Sequence, residues 1–469
     1  MARASCLEVQ LLCEYDTISG QRTEVTLMAK VKAQCLESEE RRAPITICAA
    51  IDRSGSMKDH LALLKDTLKF VIKQLRPDDK LFLATFDHEV NIELPLTCMD
   101  AIGKQKAEKA IEGIKERGHT NLSGGLLAAL NALYQVSASH ASAVESVLLF
   151  TDGKPNSGIV QQDRLVKATS SILSQIKRQA CVYTFGYGAE HDSELLNAIA
   201  SAGNGIFYYI DNPDNIPESF CDCLGGLLSV TAQNVQVRLK SFDKVTFQSP
   251  PLTTFKTSTI EPERLFEVVI PDICSEEEKC LVIKALAPHD PAVTEAVDVI
   301  LATCEVSYFD VLNCKQTQQQ VTCRLVRDSA CATPVNSPSF QEIEVHKVRC
   351  DVADSLGQAN CLAQVGDIPG AQQVLKRAKA RIQRVAFASP LVTGLLETVD
   401  QSMDGLKTAS TYKEHGKAVL TTQAMSHWQQ RSNMCQYTHT SEDSSRRTSS
   451  ETTYRSSNKS DLINKQKKK

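Results

Sequence analysis

The sequence predicts an α/β fold: a doubly wound, mostly parallel sheet inserted in a β-sandwich and followed by a C-terminal helical region. Three features carry this expectation. The segment Ile45–Asp52 (ITICAAID) is apolar on both faces up to its last residue, the pattern of a strand buried between two layers. Helical and strand periodicities alternate from Pro44 to Leu228, as in a parallel sheet with crossover helices. Beyond Thr231 the helical period stops, while strand patterns continue to Val326.

Residues 1–42 hold Leu7, Val9 and Leu11, then Val25, Leu27, Ala29 and Val31, alternating about Ser19-Gly20. This reads as a β-hairpin with one solvated face, which cannot make a core alone. In residues 43–230, Leu61, Leu64, Leu68, Val71 and Leu75 share a helix face that Pro77 ends. Strands Leu81–Phe86 and Val90–Leu94 follow, parted by the turn Asp87-His88-Glu89. Helices over Ala101–Lys115 and Leu126–Val136 lead to the strand Val147–Phe150. A helix Leu165–Ile176, a strand Cys181–Phe185, a helix Glu194–Ala200, a strand Ile206–Ile210 and a helix Ile216–Leu228 complete the alternation. Residues 231–335 supply strands at Val235–Leu239, Leu265–Ile270, Leu281–Leu286, Val297–Val311 and Val321–Val326. Joined to the N-terminal hairpin they would close a sandwich, since neither piece covers its own apolar face and edges. Over 339–435 the helical period returns. Asp367 stands as an N-cap before Pro369, and Ala371, Val374, Leu375, Ala378 and Ile382 share a face. Further helices are expected at Leu391–Leu406 and Tyr412–Trp428. The Ser/Thr/Lys-rich residues 436–469 lack apolar periodicity and are expected to be disordered.

Composition narrows the function. A net charge of -4 gives no general attraction to nucleic acid. No apolar stretch is long enough for a transmembrane segment. Glu8, Gln10 and Glu14 interrupt any signal-peptide core near the N-terminus. The 17 cysteines sit at apolar positions such as Cys48, Cys181, Cys304 and Cys361, without a C-x-x-C pair. They read as reduced core residues and point to a cytoplasmic location. Cys221-Asp222-Cys223 reads as helix packing in preference to a zinc or redox pair.

The chemistry concentrates at the end of the first buried strand. Asp52, Ser54 and Ser56 are spaced two apart, with Gly55 allowing a tight turn. Ligands in open α/β sheets bind at such carboxyl ends. A carboxylate and two hydroxyls are hard oxygen donors that suit Mg²⁺ or Mn²⁺. The D-x-S-x-S cluster resembles the first part of the metal-ion-dependent adhesion site of von Willebrand factor type A domains. Gly118-His119-Thr120-Asn121-Leu122 resembles the threonine loop of that family and Phe150-Thr151-Asp152-Gly153 its aspartate loop. The resemblance spans roughly Pro44–Leu228 and implies the family's Rossmann-like sheet. More loosely, Gly366–Ala371 and Tyr412–Arg431 resemble the C-terminal part of intracellular type A proteins. These include plant RING-type ubiquitin ligases and the type A proteins with an intein-like (Hint) module.

The resemblance implies Ser54, Ser56 and Thr120 as inner metal ligands, with Asp52 and Asp152 acting directly or through water. It implies Mg²⁺ (or Mn²⁺) as cofactor and a partner protein that supplies Asp or Glu to the metal. His119 reads as a loop or partner-contact residue, because imidazole suits Zn more than Mg. Asp59 and Asp87 read as solvated, and Lys154-Pro155 as rim. The expected function is a non-catalytic, Mg-dependent protein-binding adaptor. An alternative is a ubiquitin-pathway substrate-binding protein without the RING module; Cys6 and Cys13 do not offer its paired spacing. A Mg-dependent phosphohydrolase is the less favoured alternative, because it wants an acid where Ser54 stands.

Overall fold

The computed structural model describes residues 5–35, 42–136, 144–176, 179–188, 191–210, 212–290, 295–432, 454 and 456–467. The chain opens with β1 (Leu7–Cys13), β2 (Tyr15–Ile18) and β3 (Thr23–Ala33). The α/β unit follows, from β4 (Ile45–Asp52), α1 (Lys58–Gln74), β5 (Lys80–Phe86) and β6 (Val90–Cys98) to α2 (Ala101–Gly113) and α3 (Leu122–Val136). It continues through β7 (Val144–Thr151), α4 (Gln162–Gln175), β8 (Ala180–Tyr187), α5 (Ser193–Ala202), β9 (Phe207–Ile210) and α6 (Ile216–Leu228). Its sheet has the order β6-β5-β4-β7-β8-β9. All neighbours are parallel except β5 and β6.

Burial explains the first strand. Every residue of β4 is buried. Ile45, Ile47, Ala49 and Ile51 pack with residues of α1, α2 and α6, while Cys48 and Ala50 pack with α3, α4 and α5. A period of two thus feeds two separate cores. The strand order reverses beside β4, with β5 on one side and β7 on the other. That switch point leaves a crevice at the carboxyl ends of β4 and β7, where Asp52 and Asp152 stand.

After α6 the chain forms β10 (Val230–Ser241), β11 (Thr246–Phe247), β12 (Lys256–Glu261), β13 (Leu265–Cys274) and β14 (Glu278–Ala287). Then come β15 (Val297–Asp310), β16 (Lys315–Arg327) and β17 (Val335–Asn336). Two sheets result, β1-β3-β14-β11 and β12-β13-β10-β15-β16-β2-β17. They share a core that includes Leu7, Val31, Val237, Leu281 and Tyr308. The N-terminal hairpin pairs β1 with β3, but β2 leaves it and joins the second sheet beside β16.

The C-terminal helices are α7 (Phe340–Gln364), α8 (Ile368–Gln383) and α9 (Pro390–Asp404), followed by the helix Lys417–Gln429. Asp367 caps α8 by accepting from the Gly370 N–H at 2.9 Å. The expected solvated face of the hairpin is overturned here. Met28, Cys280 and Val282, on the outer face of β3 and β14, pack under Ile343 and Cys350 of α7. The helix expected over Tyr412–Trp428 begins with a π turn, Tyr412–Gly416, before the regular helix.

The tail also departs from the expectation of disorder. Residues 433–453, 455, 468 and 469 lie outside the described residues, but Ser457–Lys467 is a helix that buries Leu462 and Ile463 in the α6 core. Its approach is close: a Cβ on Gly225 would come within 2.9 Å of Lys459 Cα. Lys459 Nζ lies 3.1 Å from Asp222 Oδ2 and donates to Ser432 Oγ at 2.9 Å. Ser457, which donates to Glu276, and Lys467, 3.0 Å from Glu218, add contacts at the two ends of this otherwise polar helix.

A buried ionic cluster ties the sandwich to the helical region. Arg431 contacts Asp272 Oδ1 and Glu277 Oε1, each at 2.6 Å, and Lys279 reaches Glu277 at 3.2 Å. Burial alone would raise the Glu277 carboxyl, but the charges of Arg431 and Lys279 hold it well below the usual carboxylate range. A carboxyl lowered in the fold contributes stability that is full above its unfolded value of 4.5 and is lost as pH falls through lower values. Arg431→Met strands Asp272 without its cation and is expected to cost about 3–5 kcal/mol in urea unfolding at pH 7. The deficit should shrink as pH drops below about 4, where the wild type loses the stability that the lowered Glu277 carboxyl contributes.

Candidate metal centre

Three loops deliver the sequence-identified residues to one place. Asp52 ends β4 and is fully buried. Its Oδ1 accepts from the Ser54 N–H at 2.8 Å and its Oδ2 from Thr151 Oγ1 at 2.6 Å. Thr151 ends β7, so one hydroxyl cross-links the two strand ends that flank the crevice. Ser54 precedes a single 3-10 turn, Gly55–Met57, that leads into α1. The turn brings Ser54 Oγ to 3.1 Å from Ser56 Oγ, and Ser56 Oγ donates to Asp152 Oδ1 at 2.8 Å. Thr120 comes from the loop before α3. Asn156 holds it on both sides: its Oδ1 accepts the Thr120 N–H at 2.9 Å, and its N–H donates to the Thr120 carbonyl at 3.1 Å.

Glycine keeps the centre open. A Cβ added at Gly153 would lie 3.3 Å from Thr120 Oγ1 and 4.0 Å from Ser56 Oγ. Both hydroxyls therefore face the same small space.

The electrostatics of that space are unfavourable without a cation. Burial pushes the Asp52 carboxyl up to about 6; hydrogen bonds from Thr151 and Ser54 work against it and the Asp152 charge adds to it. Burial also raises Asp152, against the hydrogen bond from Ser56. Hydroxyl and carboxylate oxygens around a pocket of concentrated negative charge fit a hard divalent cation. The residues present suit Mg²⁺ or Mn²⁺.

Asp87 is not the solvated turn residue that the sequence suggested. It is fully buried. Its Oδ2 accepts from Arg53 Nε at 2.8 Å, Arg117 Nε stands 3.8 Å away, and its carbonyl accepts the Asn121 N–H at 2.6 Å. Arg117 N–H in turn donates to the Arg53 carbonyl at 2.7 Å. Asp87 thus clamps the serine loop to the threonine loop, a role hidden in sequence because its partners lie 34 positions back and 30 forward. His119 and Lys154 are exposed at the rim, and Asp59 is exposed in the first turn of α1.

Two other clusters offer ligand-type atoms within 4.8 Å of one another, Asp87-His88-Glu89 and Glu278-Cys280-His346. In the first, Arg53 and Arg117 already neutralise Asp87. In the second, His346 Nδ1 accepts from Arg349 Nε at 3.1 Å, which leaves the proton on the other ring nitrogen, and Lys30 sits 3.2 Å from Glu278. Neither cluster competes with the crevice as a cation site.

Residues 46–220 match the von Willebrand factor type A domain family. This stretch is a von Willebrand factor type A domain. A solved von Willebrand factor type A protein from Catenulispora acidiphila superposes over 91% of this chain and 98% of its own, with a TM-score of 0.63 at 13% identity. That likeness is one of fold. An uncharacterized protein of Synechocystis sp., sll0103, is 26% identical over 285 residues, 58% of this chain and 64% of the relative. The E3 ubiquitin-protein ligase WAV3 of Arabidopsis thaliana is 24% identical over 349 residues, 72% of this chain and 43% of the relative. The chain therefore spans less than two thirds of the length of either relative. Type A domains are protein-interaction or adhesion modules, and many bind a divalent metal. Among the described residues, no helix is long and apolar enough to cross a membrane.

The raised Asp52 carboxyl gives a signed test. Its folded value of about 6 stands above the reference value of 3.8, so the fold holds this proton more tightly than the unfolded chain. Its contribution to stability then falls as pH rises between those values. In EDTA at pH 7, Asp52→Asn is expected to stabilise the type A domain by roughly 1–3 kcal/mol. Thermal melts from pH 4 to pH 7 should show the variant's advantage growing with pH.

Proposed function

We propose that the chain is a non-catalytic adaptor whose type A domain binds an acidic side chain of a partner protein at a metal-completed site. In this reading Ser54, Ser56 and Thr120 hold Mg²⁺ or Mn²⁺ through their hydroxyls, with Asp52 and Asp152 balancing its charge directly or through water. The cation, when bound, supplies an open coordination position for an Asp or Glu. The observation that carries the reading is the convergence of Ser54 Oγ, Ser56 Oγ and Asp152 Oδ1 within hydrogen-bonding distance in series, beside the buried Asp52. With at most two carboxylates in the set, the cation keeps its appetite for a further anionic oxygen. A cytoplasmic location is proposed with it, because Cys48, Cys181 and Cys304 are buried at core positions where a thiol packs as a small apolar group, although Cys361, expected there too, is exposed.

Catalysis finds little support in the arrangement. A phosphohydrolase with Asp52 as nucleophile needs a proton donor for the leaving group, and Ser54 occupies that position. Arg53, the nearest cation in sequence, is committed to Asp87.

A second reading draws on the likeness to WAV3, which extends well beyond residues 46–220. Under it the chain selects substrates in the ubiquitin pathway. Cys6 and Cys13 are buried core residues of the sandwich, not paired zinc ligands, so the chain would bind substrate without recruiting a conjugating enzyme through them.

Affinity capture with and without EDTA, using wild type and Asp52→Ala, tests the adaptor reading. The expected result is a partner set lost equally on chelation and on substitution; a set indifferent to both would overturn it. Incubation with a ubiquitin-charged conjugating enzyme and with a panel of phosphoesters is expected to give no turnover. Turnover abolished by Asp52→Ala would replace the binding role with an enzymatic one.

A further inference from the structure

Behind the candidate cation space lies a pair of buried polar groups that the ligand set does not use. Tyr187 ends β8, the strand next to β7, where Gly186 pairs with Thr151. Its side chain is 1% exposed. His60 lies on the first turn of α1, four residues after Ser56 of the preceding 3-10 turn. The two rings stack, with centroids 5.4 Å apart and planes 20° from parallel. Among the described residues, neither the Tyr187 hydroxyl nor His60 Nδ1 has a hydrogen-bond partner, although both atoms are buried.

Buried polar atoms are nearly always satisfied, and phenylalanine would fill the Tyr187 site without that burden. The two groups share a neighbour. In register, Tyr187 follows Gly186, the partner of Thr151, as Asp152 follows Thr151 on the neighbouring strand, and His60 follows by four residues the Ser56 whose hydroxyl donates to Asp152. Asp152 Oδ1 is already taken by Ser56. A single water can accept from the tyrosine O–H and donate to the imidazole and to the carboxylate, satisfying all three groups at once.

We propose that Tyr187 and His60 are positioning residues that hold an ordered water against Asp152 and so fix this carboxylate toward the cation space. The inference rests on the metal-site reading above and adds to it an outer layer set by this chain's own residues. Outer-shell groups of this kind change metal affinity by about 10–100-fold when removed.

The test is calorimetric titration of the full chain with Mg²⁺ and Mn²⁺, paired with thermal melts in EDTA. Tyr187→Phe and His60→Phe are each expected to weaken Mg²⁺ binding about tenfold. The double variant should be little weaker than either, because both act through one water. His60→Asn, which returns a polar atom near Nδ1, should recover most of the loss. The metal-free melting temperature of Tyr187→Phe should not fall, since it deletes only a hydroxyl. Unchanged Mg²⁺ affinity in Tyr187→Phe, with wild type binding normally, would overturn the inference and leave the metal site standing. Weakened affinity accompanied by an equal loss of metal-free stability would overturn it in favour of a packing role. No binding by wild type would remove the metal site first, and the inference with it.

Discussion

Asp52 and Asp152 stand at the ends of neighbouring parallel strands, both withdrawn from water, and the surrounding structure is arranged to make that tolerable. Like charges repel strongly where water is excluded, and burial by itself favours the protonated acid. The fold answers with local hydrogen bonds: Thr151 and the Ser54 amide serve Asp52, while Ser56 serves Asp152. These bonds reduce the imbalance without cancelling it, since both carboxyls remain raised. A site held in this condition is disposed to take up a cation, which is the electrostatic basis of the proposed role.

Such a crevice persists only if its walls are stiff. The serine and threonine loops carry no regular structure of their own beyond one 3-10 turn, yet they are pinned by Arg53, Asp87 and Arg117. This is the reverse of the candidate cation site: here opposite charges are buried together and each is satisfied. Farther away, Arg431 performs the same service between the sandwich and the helical region. Unfavourable electrostatics sit where ligand chemistry is proposed, and compensated electrostatics surround them.

The α/β unit was legible because its signals are local. Ile45–Asp52 reports burial on both faces within eight residues, and D-x-S-x-S is contained in five. Asp367 announced its cap for the same reason. What escaped depended on distant partners. Alternation in β3 resembles a one-sided strand until α7, some 310 residues later, covers the outer face with Ile343. Asp87 looked like any turn carboxylate because Arg53 and Arg117 are not its sequence neighbours. The helix Ser457–Lys467 has too few apolar residues to announce itself; Leu462 and Ile463 matter only once α6 presents a groove and Gly225 permits contact. Tyr187 and His60 carry no motif, and their significance appears only when the two rings are seen stacked with an unpartnered polar atom on each.

The pairing of β3 with β14 has a consequence for how the molecule is made. Lys32 lies opposite Glu278 and Thr23 opposite Ala287, so the first sheet is completed only when about 250 further residues have followed β3 out of the ribosome. The α/β unit, whose parallel strands close over shorter loops, is fully emitted well before then and is free to assemble first. During that interval β1 and β3 present an unfilled hydrogen-bonding edge to the cell. Vulnerability to misassembly in the nascent protein is thereby concentrated in β1 and β3, even though β3 becomes a central, mostly buried strand of the finished sheet.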